Sequence, residues 1–507
     1  MQTFQTIICY NTNTITFTSK GGNHLYTFLA GIALLIIGYF TYGKFVEKVF
    51  GVKENRATPA YVNADGVDYV PMSTKKNSLI QLLNIAGTGP VFGPIMGALY
   101  GPVAFIWIVV GCIFAGAVHD YLTGMISIRN RGAHLPELAS RFLGKVMKHV
   151  VNAFAVLLLL LVGTVFVSTP ASLLHVVMDG KVALSIIIIA IFAYYILATL
   201  LPVDKIIGRL YPYFGALLLI SALGVGIGLV VTGAEIPELT LENLHPANAP
   251  ILPLLFFTIS CGALSGFHAT QTPIISRTTK NEKEGRKIFY GMMIAEGVIA
   301  MIWAAAAMSL FNGSTGLNEI LAAGGPGAIV QEASITLLGA IGGTLAVLGV
   351  VVLPITSGDT AFRSARMIIA EYFKIAQKKI SSRLWIAIPL FAISAVLTQI
   401  DFNVLWRYFN WANQSTAVIA LFVASMYLYI AKKNYFIPLI PGSFMLVMVI
   451  TYILNAQIGF GLSWTVAWIG GFGGAAILIT IFFIAARKAR ANNLPLDEDV
   501  SSYKKTA

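Results

Sequence analysis

The pattern of apolar and polar positions divides the chain into long apolar runs joined by short polar, mostly basic segments, and each run has about the length of a bilayer crossing. Thirteen runs are read, at about 25–43, 78–98, 103–127, 149–174, 183–201, 212–232, 250–275, 288–311, 331–362, 384–399, 408–430, 437–456 and 463–486. Two are interrupted. In LNIAGTGPVFGPIMGA (83–98) the second run carries Gly87, Gly89, Pro90, Gly93 and Pro94. The prolines remove amide donors, carbonyls are released, and hydrocarbon offers no water to replace the lost partners. Such a break survives where it lines a cavity, and in transporters the ends of broken helices face solute and coupling ion near the midplane. The seventh run carries a second break, CGALSGFHATQTP (261–273). It comes five crossings later, so the chain enters it from the opposite side of the membrane, as an inverted repeat requires. For a single span, a kinked helix with packing glycines is the alternative; two polar breaks at matching positions favour discontinuity.

This spacing predicts an all-α polytopic membrane protein of about 13 transmembrane helices, arranged as in LeuT-like transporters. Spans 2–6 and 7–11 form a 5+5 inverted repeat, with helices 2 and 7 discontinuous. Composition agrees: 57% of residues are hydrophobic and 11% charged, against about 25% charged in soluble domains. A net charge of +12 would point to nucleic acid in a soluble protein, but the basic residues fall in alternate loops, leaving Lys20, Lys181 and Arg407 on the other side. That asymmetry predicts an outside N-terminus and a cytoplasmic C-terminus, and it removes nucleic acid as a partner. Residues 1–24 read as a disordered or mis-started N-terminus, 25–486 as the transporter domain and 487–507 as a cytoplasmic tail. The first apolar run lacks a small-residue cleavage site and reads as a retained helix. Cys9, Cys112 and Cys261 have no paired spacing. Residues 133–150 are amphipathic, either lying on the inner leaflet or packed on the bundle.

Charged and hydroxyl side chains at membrane depth are the candidate chemistry, since each charge there costs roughly 2.5 to 3.5 kcal/mol on insertion scales. Glu296 is the most deeply placed carboxylate, able to carry a proton or to cap the neighbouring broken backbone. His119 and Asp120 lie in the third span; adjacent helical positions diverge by about 100°, so mutual contact is not expected. Pairing of either with Arg129 or Arg363 is the structural alternative. Thr356, Ser357, Asp359 and Thr360 follow Pro354 in the ninth span. With Ala86 at the first break they make a hard-oxygen site suited to Na⁺ at Thr356 and Ser357, or a proton site if Asp359 titrates. Hydroxyls bonded to their own helix and an Asp359–Arg363 pair are the alternatives. The substrate set is Gly87, Thr88, Gly89, Pro90 and Gly93 at the first break with Ser265, Gly266, His268, Thr270 and Gln271 at the second. The half-helix amides there are expected to receive a carboxylate. No metal-spaced His cluster or Lys-Ser/Thr phosphate loop is present in the sequence, so neither cofactor nor ATP-driven pumping is expected, and the chain does not read as an enzyme.

The segments IAGTGPVFGP (85–94), AGAVHDYLTGMISIRNRG (115–132), SGFHATQTPIISRTTKNEKEGRKIFYGMMIAEG (265–297), VVLPITSGDTAFRSAR (351–366) and LWRYFNWANQ (405–414) closely resemble the carbon starvation protein A family. The likeness runs from about 25 to 486 and is to the shorter branch; longer members carry a His-His pair where this chain has Ile80 and Gln81. The resemblance implies a bacterial inner-membrane secondary transporter taking up peptides or pyruvate during carbon starvation; the broken helices and the polar groups at depth add the expectation of symport with H⁺ or Na⁺. The alternative is a starvation-responsive membrane channel or nutrient sensor without coupled pumping. Oligomeric state is not legible.

Overall fold

A computed structural model describes residues 25–498 apart from 179, 201–202 and 378. The expectation for residues 1–24, and that for the tail beyond 498, lie outside the described residues.

Among the described residues the chain is helical throughout, with a single isolated bridge, Met72 to Thr279. Nine helices are long and apolar enough to cross a membrane, and the bent pair Thr74–Ala86 and Gly89–Tyr100 makes a tenth. The other expected crossings are two shorter apolar helices, Leu184–Thr199 and Gly215–Val231, and the interrupted segment formed by Ile251–Thr258 and Gly266–Ser276. Span numbers below follow chain order. Apolar side chains such as Trp385, Val396, Ile469, Phe472 and Ile484 stay exposed on the outer faces, as a lipid-facing perimeter requires.

The broken spans run antiparallel, side by side. At one end Met72 N–H donates to the Thr278 carbonyl (3.0 Å) and Thr278 Oγ1 donates to Asn77 Oδ1 (2.7 Å). In the middle Gly89 abuts Cys261, and at the far end Gly97 abuts Ile259 and Leu255. Packing around them is reciprocal. The second half of span two, Gly89–Gly97, lies on span eight (Gly291–Leu310), while the second half of span seven, Gly266–Ser276, lies on Ala117–Arg129 of span three. Both flanking spans carry a π-helical turn, Cys112–Gly116 and Arg286–Tyr290, a distortion frequent at functional sites. This exchange of neighbours is what the two halves of a 5+5 repeat produce. Spans four (Lys145–Val177) and nine pack along each other outside the pair, and span eleven (Phe402–Ile430) closes the second break.

Span nine departs from its expected limits of 331–362. Helix continues from Gly313 to Tyr372, broken by positive φ at Gly325 (67°) and Gly339 (68°). Gly343 lies against the backbone of Ile335, so the segment before Gly339 folds back on the span instead of extending it. The Gly-rich, polar stretch 312–330 reads as loop in one dimension because its apolar face is completed by contacts such as Gly327 with Leu173. The amphipathic segment resolves into a helix, Leu135–Leu143, that buries Leu135, Leu138 and Phe142 inside the protein, while Lys145 onward already belongs to span four. The last helix runs to Ala491, past the expected boundary at 486.

Candidate substrate and ion site at two helix breaks

At the first break the backbone turns at Gly87 (φ 11°, ψ −150°), bending the halves of span two by 46°. At the second, Gly262 takes φ +87°, a conformation that L side chains rarely adopt. The breaks touch because the facing positions are small. A Cβ on Gly89 would stand 2.3 Å from the Cys261 side chain, and one on Gly93 would stand 2.9 Å from the Thr258 carbonyl oxygen.

Each break frees backbone groups that need partners away from water. Neighbouring spans supply them. Ser357 Oγ accepts from Gly87 N–H (3.1 Å) and donates to the Leu83 carbonyl (2.8 Å). At the second break Glu296 Oε1 accepts from Gly262 N–H (3.1 Å), and Asn413 Oδ1 accepts from Phe267 N–H (2.7 Å) and Ser265 Oγ (3.1 Å). Gln414 Nε2 donates to the Phe256 and Leu264 carbonyls, and Trp107 Nε1 donates to the Ile259 carbonyl. The amide end of the second half of span seven is therefore already occupied: Phe267 N–H by Asn413, and His268 N–H by the Ser265 carbonyl. A carboxylate expected at Gly266 to Thr270 therefore competes with protein partners for these two amides. Gly266 itself sits against the Asn413 carbonyl and the Ala417 nitrogen.

Behind the breaks lies a buried chain of imidazoles and carboxylates. His119 Nδ1 meets Asp120 Oδ1 at 2.8 Å, and Asp120 Oδ2 meets His268 Nδ1 at 2.9 Å. His268 Nε2 then points to Glu296 Oε2 at 3.4 Å without hydrogen-bond geometry. All four side chains are fully buried. The expected separation of His119 and Asp120 is thus wrong: both side chains bend round the helix to meet, and Asp120 bridges two imidazoles. Arg129 is engaged elsewhere, with Glu282 (2.8 Å), Tyr427 and the Gly51 carbonyl.

Around the first break several polar side chains have no hydrogen-bond partner among the described residues. Gln81 and Asn84 share one face of the first half of span two at a spacing of three, and Thr88 caps the second half just past the turn. They are fully buried, and both ends of the Gln81 and Asn84 carboxamides and the Thr88 hydroxyl lack a hydrogen-bond partner among the described residues. Gln271 Oε1 on span seven is in the same state, its amide nitrogen donating to Thr270 Oγ1. Leaving such a group unpaired costs roughly 1 to 3 kcal/mol. Sequence reasoning missed Asn84, Asn413 and Gln414, and read Gln81 only as a departure from a family pattern; the available signal was carboxamides inside apolar spans.

The remaining predicted residues divide. Gly89, Pro90 and Gly93 line the contact between breaks, with Ala86 ending the first half-helix and Thr88 capping the second. Thr270 Oγ1 bonds back to the Phe267 carbonyl. Thr356 and Thr360 likewise donate to their own helix, at Leu353 and at Ser357. Ser357 alone of the span-nine candidates reaches across to span two in the hydrogen bonds described. Asp359, two positions on and so about 200° round the helix, instead accepts from Tyr194 Oη of span five at 2.9 Å. The hydrogen bond described for it reaches span five, whereas the expectation set it beside the carbonyls freed at the break.

Known proteins resemble this chain along most of its length. A profile of the family described as Carbon starvation protein CstA matches residues 23–189, 176–318 and 311–452. An uncharacterized membrane protein of Haemophilus influenzae is 50% identical over 345 residues, 58% of this chain and 93% of its own. The Campylobacter jejuni peptide transporter CstA is 30% identical over 350 residues, 55% of this chain and 49% of that one. The Escherichia coli pyruvate/proton symporter BtsT is 27% identical over 355 residues, 56% of this chain and 49% of that one, so the match spans about half of each named transporter. In fold alone, the chain is similar to a mutant manganese transporter of Eremococcus coleocola, at a TM-score of 0.55, 13% identity, and coverage of 84% of this chain and 99% of that one. The chain belongs to the carbon starvation protein CstA family and has the fold of a membrane transporter.

Proposed function

We propose that the protein is a secondary active transporter of the bacterial inner membrane, importing a small carboxylated nutrient by alternating access coupled to a cation. The observation that carries this reading is the contact of two oppositely directed broken helices, Gly89 against Cys261, enclosed by the bundle. The names of the relatives support peptides or pyruvate as the solute class. Gln81, Asn84, Thr88 and Gln271 present donors and acceptors without partners, and these are the groups a polar solute would satisfy. Its carboxylate belongs at Thr88 and Gly89, where the second half of span two begins.

For the coupling ion, the Asp120–His268–Glu296 chain favours a proton, because two carboxylates joined by an imidazole exchange protons where a Na⁺ site would need an oxygen cage. Ser357, Thr356 and Ala86 remain the position for Na⁺. The distribution of basic loops supports an outside N-terminus and a cytoplasmic C-terminus. Uptake of labelled pyruvate, amino acids and dipeptides into proteoliposomes under imposed proton or sodium gradients tests the reading: one of the solutes should accumulate against its gradient. If no gradient concentrates any of them, coupled transport is wrong, and saturable binding without flux would indicate a sensor. Glu296→Gln should uncouple uptake from the proton gradient, and Asp359→Asn should leave coupling intact; loss of gradient dependence in Asp359→Asn would move the ion site to Asp359.

A further inference from the structure

Cys261, His268 and Glu296 come from the second break, the half-helix after it and span eight, and one ligand atom from each lies within 4.8 Å of the others. We propose that these three side chains bind one borderline divalent cation, with Zn²⁺ as the reference ion. Both nitrogen and oxygen donors are held from behind. His268 is fixed through Nδ1 by Asp120, which itself holds His119, and this leaves Nε2 without a hydrogen-bond partner. Glu296 is fixed through Oε1 by the Gly262 amide, and this leaves Oε2 without one. A carboxylate behind a ligating imidazole is the arrangement that orients histidine in metal sites and raises its basicity.

The distances suit a tetrahedral ion. His268 Nε2 and Glu296 Oε2 are 3.4 Å apart, close to the roughly 3.3 Å that two bonds of about 2.0 to 2.1 Å subtend at a tetrahedral centre. With all three atoms inside 4.8 Å of one another, the thiol needs to close by at most about 1.3 Å to bring its sulfur to the roughly 2.3 Å of a zinc–thiolate bond. Cys261 lies in a turn outside helix, its thiol 3.4 Å from Ser265 Oγ and its side chain packed on Gly89, so its sulfur reaches the ion by rotation about Cα–Cβ and not by moving the backbone. Thiolate and carboxylate together balance the 2+ charge, which a low-dielectric interior requires. A sulfur and an imidazole nitrogen select zinc, cobalt or ferrous iron over the oxygen-seeking Mg²⁺ and Ca²⁺. Three protein ligands leave a fourth position open. The inference goes beyond the transport reading and stands without it; where the cluster also carries the coupling proton, the metal competes for the same atoms and slows uptake.

Co²⁺ titration of the purified full-length protein in detergent tests the site without substrate or gradient. The expected result is a thiolate-to-cobalt charge-transfer band saturating at one ion per chain and bleached by Zn²⁺. Cys261→Ser should remove the band, Glu296→Gln should weaken binding at least tenfold, and Cys9→Ser and Cys112→Ser should leave it unchanged. Cys112 is a fair control because its Sγ donates to the Met293 carbonyl at 3.3 Å. Absence of the band, or its survival in Cys261→Ser, overturns the proposal. Should Cys261→Ser fail to fold, zinc-edge X-ray absorption of the unaltered protein decides: one sulfur with nitrogen and oxygen neighbours supports the site, and a shell without sulfur overturns it.

Discussion

At the second break, Asn413 and Gln414 of span eleven, Glu296 of span eight and Trp107 of span three each take up backbone groups that the missing helical turns release. At the first, Ser357 bridges Gly87 and Leu83, and the conspicuous polar groups nearby, on Gln81, Asn84 and Thr88, are buried without protein partners among the described residues. Two motifs that look equivalent in sequence are therefore built for different work. The backbone of the second is braced on several sides; the first leaves its polar groups without protein partners among the described residues, which is what the proposed site for a transient solute needs.

The sharpest way to break the contrast is at Gly266, where an added Cβ would lie 2.1 Å from the Asn413 carbonyl oxygen and 2.4 Å from the Ala417 nitrogen. Backbone cannot swing aside as a side-chain tip can, so Gly266→Ala must push span seven off span eleven. Overpacking costs typically 1 to 3 kcal/mol and more against backbone. Folded yield and melting temperature in detergent should fall steeply, while Gly473→Ala, on a helical surface with open space around it, should change neither.

A matched pair of asparagines then separates scaffold from site. Asn413→Leu strands Phe267 N–H and the Ser265 hydroxyl, so stability should drop by about 1 to 3 kcal/mol for each group left unpaired. Asn84→Leu removes a carboxamide that had no partner, so the melting temperature should hold or rise, while solute uptake should fall more than tenfold. If Asn84→Leu melts like Asn413→Leu, the first break is scaffold too and the contrast fails. Ser357→Ala is expected between the two, losing about 1 to 2 kcal/mol through Gly87 N–H and the Leu83 carbonyl.

The breaks, their five-span separation and the alternation of basic loops were legible in one dimension because each depends on local composition. What completes them was not. Nothing near Gly262 in sequence announces that Glu296 holds its amide, or that Asn413, about 150 positions beyond Ser265, caps the following half-helix. The meeting of Asp120 with His268 joins span three to span seven, and helical angles misjudged even His119 beside Asp120, since side-chain torsions cover what the backbone separates. Asp359 misled for the opposite reason: its neighbour Ser357 lies at the break, but two residues round a helix nearly reverse the direction of a side chain.

The smallest expected effect concerns the loop end beneath the braced break. His134, between span three and helix Leu135–Leu143, is buried, and burial together with the nearby Arg277 guanidinium that ends span seven holds its imidazole well below the usual histidine range. It is therefore neutral in the fold while the unfolded chain takes up a proton below about pH 6.5. Its contribution to stability is complete above that value and is lost as pH falls below it, by at most about 1.4 kcal/mol per pH unit. Melting temperatures at about pH 8 and pH 5.5 should show the unaltered protein losing more on acidification than His134→Gln does. Equal losses in the two proteins would mean that the acid sensitivity lies elsewhere, and that the scaffold side of the molecule is no more dependent on this neutral imidazole than the site side is.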